Sequence, residues 1–140
     1  MAEPASVPPH SPAGKWDVLT AIGAGGALGS LARYGVSVVL PHSRGQFAFS
    51  TFAANVSGCL LIGILMALLI TAPAPHRLLR PFLGIGVLGG YTTFSTYAVD
   101  TLDLVTTGHP VTGLSYALGT VACALLATFV GHEITRAVRK

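Results

Sequence analysis

The sequence predicts an all-α membrane protein of four transmembrane helices, the third of them broken. Three observations carry this. The 140 residues are 51% hydrophobic and 9% charged, whereas a soluble domain carries about 25% charged residues. Four apolar stretches each reach the ~20 residues that a helix needs to cross ~30 Å of hydrocarbon. Within the third, residues 84–97 (GIGVLGGYTTFSTY) combine four glycines with adjacent threonines. Glycine has a high entropy cost in a helix and threonine is stiff at χ1, so this stretch is a poor helix. A break at membrane depth is tolerated where protein, water or an ion satisfies the freed backbone groups.

The elements follow in order. Residues 1–15 form a disordered tail: the first fourteen hold four prolines, and their polar start is unlike a signal peptide. The remaining 16–140 form one helical domain, with no room for a separate soluble one. Trp16, between Lys15 and Asp17, marks an interfacial anchor. The first span, 18–40, is interrupted by one charge, Arg33, and ends at the polar turn 41–45. The second, 47–70, has Asn55 as its only strongly polar side chain. Pro73 to Pro81 breaks the chain and carries His76, Arg77 and Arg80. The third span, 82–104, holds the break and reaches Asp100 and Asp103 near its end. The fourth span, 111–135, follows a turn at 106–110 and leads to Arg136, Arg139 and Lys140. Cys59 and Cys123 lie in apolar runs without metal-site spacing and read as small buried side chains, not a disulfide.

Lys15, Arg77, Arg80, Arg136, Arg139 and Lys140 fall on one side of such a bundle, and Arg44 alone falls on the other. By the positive-inside rule both termini face the cytoplasm.

Inside the spans a few polar groups stand out. Arg33 continues a stripe from Gly25 and Gly29, and Gly25-x-x-x-Gly29 permits close approach of another helix. An arginine there either snorkels to the headgroups or forms a cationic vestibule that attracts an anion. Asn55 offers two N–H donors and one acceptor, which suit either a desolvated anion or an interhelical bond. Thr92, Thr93, Ser95 and Thr96 place hydroxyls on the third helix, and Ser115, Tyr116 and Thr120 do so on the fourth. Phe94 and Tyr97, three apart, share a face. A ring edge is electropositive, so edge-on rings suit a small anion; packing against lipid or core is the plainer reading. No Ser/His/Asp group or metal-ligand cluster is present in the pattern, and no enzyme is expected.

Together, Gly26-Ala27-Leu28-Gly29-Ser30-Leu31-Ala32-Arg33-Tyr34, Phe52-Ala53-Ala54-Asn55-Val56-Ser57-Gly58-Cys59 and Gly89-Gly90-Tyr91-Thr92-Thr93-Phe94-Ser95-Thr96-Tyr97 resemble, in order, three motifs of the Fluc/CrcB family of fluoride channels. The resemblance covers roughly Ala21 to Arg136. It implies a passive, fluoride-specific channel of the cell membrane that lowers cytoplasmic fluoride, built as an antiparallel dimer with two pores. It also implies that the carbonyls of Gly89 and Thr92 from both subunits bind one structural Na⁺, which is not transported. Asn55 would donate to fluoride, Phe94 and Tyr97 would present rings, and Ser95 and Thr96 would add hydroxyls. Tyr116 with Thr120 fits the family's fourth-helix spacing, and Arg33 would sit in the vestibule.

Two positions depart from the family. Tyr97 replaces the second phenylalanine, and Asp100 stands where glutamate is usual. The charge bias, six against one, predicts a single orientation and hence pairing with an oppositely oriented paralogue in preference to itself. The alternatives are a small multidrug-type antiporter, which would need a membrane carboxylate absent from the first two helices, and a non-transporting membrane assembly subunit.

Overall fold

The computed structural model describes residues 12–139, so most of the expected tail, residues 1–11, lies outside the described residues. Five helical elements follow one another. They are α1 (Pro12–Val39), α2 (Phe49–Thr71), α3 (a π-wound segment, Arg80–Leu88, passing into the α-turn Gly89–Tyr91), α4 (Phe94–Thr106) and α5 (Pro110–Val138). No strand occurs among the described residues. The first helix is already formed at Pro12, the first described residue, ahead of the expected Val18. No proline lies between Pro12 and Val18 to break it. Residues 12–15 are therefore helix and not tail.

The third expected span is interrupted, but only at Thr92 and Thr93. Its glycines remain helical, and close approach explains them. A Cβ on Gly90 would lie 2.5 Å from the Gly26 carbonyl oxygen, and one on Gly86 would lie 2.9 Å from Gly25 Cα. Cβ atoms on Gly25 and Gly29 would run into the carbonyls of Phe82 and Val87. The glycine stripe of α1 thus meets the glycines of α3 backbone to backbone, as small residues do in membrane interfaces. A second seam joins α2 to α5, where Gly63 faces the Thr128 carbonyl and Gly131 that of Leu60. The shorter α4 packs on α5.

The buried apolar cluster is small. Ala48, Leu104 and Tyr116 sit at its centre, with Phe47, Phe52 and Tyr97 around them. Elsewhere the apolar side chains point outward: Leu118, Leu125 and Phe129 on α5 are each more than 60% exposed. Such a surface needs lipid or a partner as its solvent. By length and composition α2 and α5 can each cross a membrane. The 28 residues of α1 reach ~42 Å at ~1.5 Å per residue.

Polar contacts identify the two ends. Arg77 pairs with Asp17, and Arg139 Nη1 donates to Thr71 Oγ1 at 3.1 Å. The start of α1, the 72–79 loop and the end of α5 therefore share one end. At the other, Arg44 pairs with Asp103 at 2.7 Å, and Gly45 lies against Thr107. The grouping of the basic residues read from the sequence is the grouping in space, with Lys140 outside the described residues.

Candidate functional site

The break is built by three side chains. The Thr92 N–H and hydroxyl both donate to the Leu88 carbonyl, at 3.0 and 2.9 Å, closing the last turn of α3. Thr93 is extended, with φ −150° and ψ 126°. Its backbone is held by Asn55 of α2 through two bonds. The Thr93 N–H donates to Asn55 Oδ1 at 2.8 Å, and Asn55 Nδ2 donates to the Thr93 carbonyl at 3.0 Å. Thr93 then caps α4, its Oγ1 accepting the Thr96 N–H at 3.1 Å, the usual way a helix start finds a partner for an orphan donor. A carboxamide has two N–H bonds on its nitrogen, so one remains for a ligand.

These contacts act on two carbonyls. In an unbroken helix the Gly89 oxygen would receive the Thr93 N–H and the Thr92 oxygen the Thr96 N–H. Here Asn55 takes the first donor and Thr93 Oγ1 takes the second. Both carbonyls are thus released from the helical ladder at an interruption where Gly89 is exposed on the molecule's surface. Freed carbonyls of this kind are what a hard cation takes.

Beside the break lies a cavity of about 240 Å³, which brings together Asn55, Phe94, Tyr97 and Thr120 and adds Cys59, Thr92 and Thr93. Its lining holds no charged group. Phe94 is 80% exposed, with its ring centroid 5.7 Å from that of Tyr97 and the planes 42° apart. The Tyr97 hydroxyl, the feature added relative to phenylalanine, donates to the Ala117 carbonyl at 3.0 Å. The Thr120 hydroxyl donates back to the Tyr116 carbonyl at 2.6 Å, so its proton is engaged within α5.

Besides Gly89, four expected site residues lie outside this cavity. Ser95 and Thr96 are exposed in the first turn of α4, both within hydrogen-bond reach of Thr93 Oγ1. Tyr116 is fully buried; its ring meets Phe47 edge-on at 5.0 Å and its hydroxyl donates to Asp100 at 3.3 Å. Asp100 in turn lies 3.5 Å from His42. Arg33 is half-buried on α1, and no carboxylate among the described residues is within pairing distance of it. Cys59 and Cys123 are both free and half-buried.

The clamp is not legible in the sequence. Thr93 reads there as one hydroxyl among several, although threonine is a favoured N-cap residue. Nor does the sequence show that Ser57 and the Tyr91 hydroxyl, 3.0 Å apart, tie α2 to the last turn of α3.

Apolar outer faces and a clamped break beside an uncharged cavity define a small helical membrane protein with a discontinuous helix. The chain belongs to the CrcB family, whose model, "CrcB-like protein, Camphor Resistance (CrcB)", matches residues 20–132. It is 47% identical over 136 residues to fluoride-specific ion channel FluC 2 of Nocardia farcinica, covering 97% of this chain and 94% of that one. Fluoride-specific ion channel FluC 2 of Streptomyces avermitilis is 46% identical over 77% of this chain and 68% of its own. The same organism's fluoride-specific ion channel FluC 3 is 41% identical over 85% of this chain and 58% of its own.

Proposed function

We propose that this chain is a subunit of a fluoride-specific channel that exports cytoplasmic fluoride passively across the cell membrane. Membership of the CrcB family supports it, and so do the names of the relatives. The observation from the structure that carries it is the cavity at the break, lined by Asn55, Phe94 and Tyr97 and by no carboxylate. A small anion finds donors and ring edges there without a fixed cation to trap it. A proton-coupled antiporter would want a carboxylate in that lining.

The conducting unit is an antiparallel dimer of four-span chains, each with 16–140 as its channel domain and α3 and α4 as its broken third span. Ser95, Thr96 and Tyr116 continue the polar track beyond the cavity, Thr120 belongs to its lining, and Arg33 supplies the vestibule. The freed carbonyls of Gly89 and Thr92 fit one structural Na⁺ shared with the partner's equivalent pair, which supplies positive charge at the dimer centre and is not transported. Both termini face the cytoplasm. The charge bias favours pairing with an oppositely oriented paralogue, and Streptomyces avermitilis carries more than one such chain.

Fluoride release from liposomes, with chloride as the control anion, tests the reading. Fluoride release without chloride release is expected from this chain with its paralogue. Silence of both the single chain and the pair would overturn it.

A further inference from the structure

The end of the molecule that gathers the arginines carries a second cavity, of about 380 Å³, between the C-terminal turns of α2 and the 72–80 segment. One wall is apolar and comes from α2: Met66, Leu69 and Ile70. The rim is basic, formed by His76, Arg77 and Arg80. Arg77 shares its charge with Asp17. Arg80 is exposed and pairs with no carboxylate among the described residues. Around the same end of α2, Arg136 and Arg139 add two more cations, and among the described residues only Glu133, 3.7 Å from Arg136, pairs with either.

We propose that this cavity seats an anionic phospholipid, its phosphate against Arg80 and Arg77 and one acyl chain along Met66, Leu69 and Ile70. Charge complementarity and the order of the lining select this occupant. The basic rim sits at the end of α2, a helix apolar enough to cross the membrane, so the apolar wall runs from headgroup depth into the hydrocarbon. Basic pockets at this depth hold anionic headgroups. A soluble phosphate would leave the apolar wall uncovered, and a zwitterionic lipid would set its own cation beside two arginines. The inference rests on membrane insertion and not on fluoride conduction.

Native mass spectrometry of the purified chain in detergent, with phosphatidylglycerol or phosphatidylcholine of the same acyl chains, tests it. Phosphatidylglycerol is expected to be retained in preference. Arg80→Gln should weaken its binding about fivefold, the effect of one basic residue near an anionic surface. Arg44→Gln, at the opposite end, should leave binding unchanged. Equal retention of the two lipids, or unaltered binding by Arg80→Gln, would overturn the proposal. So would displacement of the lipid by soluble glycerol phosphate at a matching concentration, which would make the site one for a free phosphate. Fluoride release is measured in parallel. Its absence from both the single chain and the pair with the paralogue, with lipid selectivity intact, would remove the channel reading and leave this site standing.

Discussion

Asn55 commits both ends of its carboxamide to Thr93 and has one N–H left. Replacing it with alanine leaves a buried N–H and a buried C=O without partners, each costing about 1–3 kcal/mol. Asn55→Ala should therefore lower unfolding stability in detergent by about 2–6 kcal/mol. Asn55→Asp is subtler. A carboxylate still accepts the Thr93 N–H but opposes the Thr93 carbonyl with a second acceptor, and it brings negative charge into the anion's cavity. It should abolish fluoride release while the dimer persists on size-exclusion chromatography; loss of the dimer would assign Asn55 to packing alone. Tyr97 behaves differently because its hydroxyl points to Ala117 and not into the cavity. Tyr97→Phe removes one hydrogen bond, about 0.5–1.5 kcal/mol, and fluoride release should continue, since the ring that faces the cavity is kept. Loss of conduction in that variant would show that the hydroxyl serves the anion.

At the scale of elements, the break owes its position to partners and the glycines owe theirs to neighbours. From composition alone, both looked like one feature, a weak helix. In space they separate. Gly86 and Gly90 are helical and lie under α1, whereas the chain departs from helix at Thr92 and Thr93, where Asn55 and a threonine cap replace the ladder bonds. Gly29→Ala places a methyl into the Val87 carbonyl, so it should destabilise the fold by about 1–3 kcal/mol, as overpacking does. Gly23→Ala, on the same helix with nothing within 4 Å of an added Cβ, should leave thermal unfolding unlowered. Equal effects from the two substitutions would refute backbone contact as the reason for the seam.

For the whole molecule, the arrangement of charge is the feature with consequences. The ion pair Asp17–Arg77 and the Arg139–Thr71 bond fasten the start of α1, the 72–79 loop and the end of α5 together, so one end is strongly basic. A reporter fused to the C-terminus should therefore signal from the cytoplasmic side only. Substantial signal from both sides would show that the chain inserts both ways and can pair with itself. The freed carbonyls extend this to the assembly. One chain offers two oxygens at the break, too few to enclose a cation, and a two-fold partner doubles them. Exchanging Na⁺ for a bulky organic cation during purification should dissociate the dimer, read as a shift to the monomer on size-exclusion chromatography.

Much of this protein is written in local chemistry. Apolar stretches of membrane-crossing length and the third-helix motif determined by themselves that it is helical, membrane-embedded and interrupted within residues 84–97. Each depends on residues close in sequence or on simple sums over a segment. The tertiary structure alone decided which helix the glycine stripe of α1 meets and that Asn55 holds the break through Thr93. It also decided that the Tyr97 and Thr120 hydroxyls are engaged by backbone carbonyls and that Tyr116 turns to Asp100. These outcomes depend on where a donor from one helix meets an acceptor on another. A hydroxyl in a sequence advertises a proton, but only packing determines which oxygen receives it.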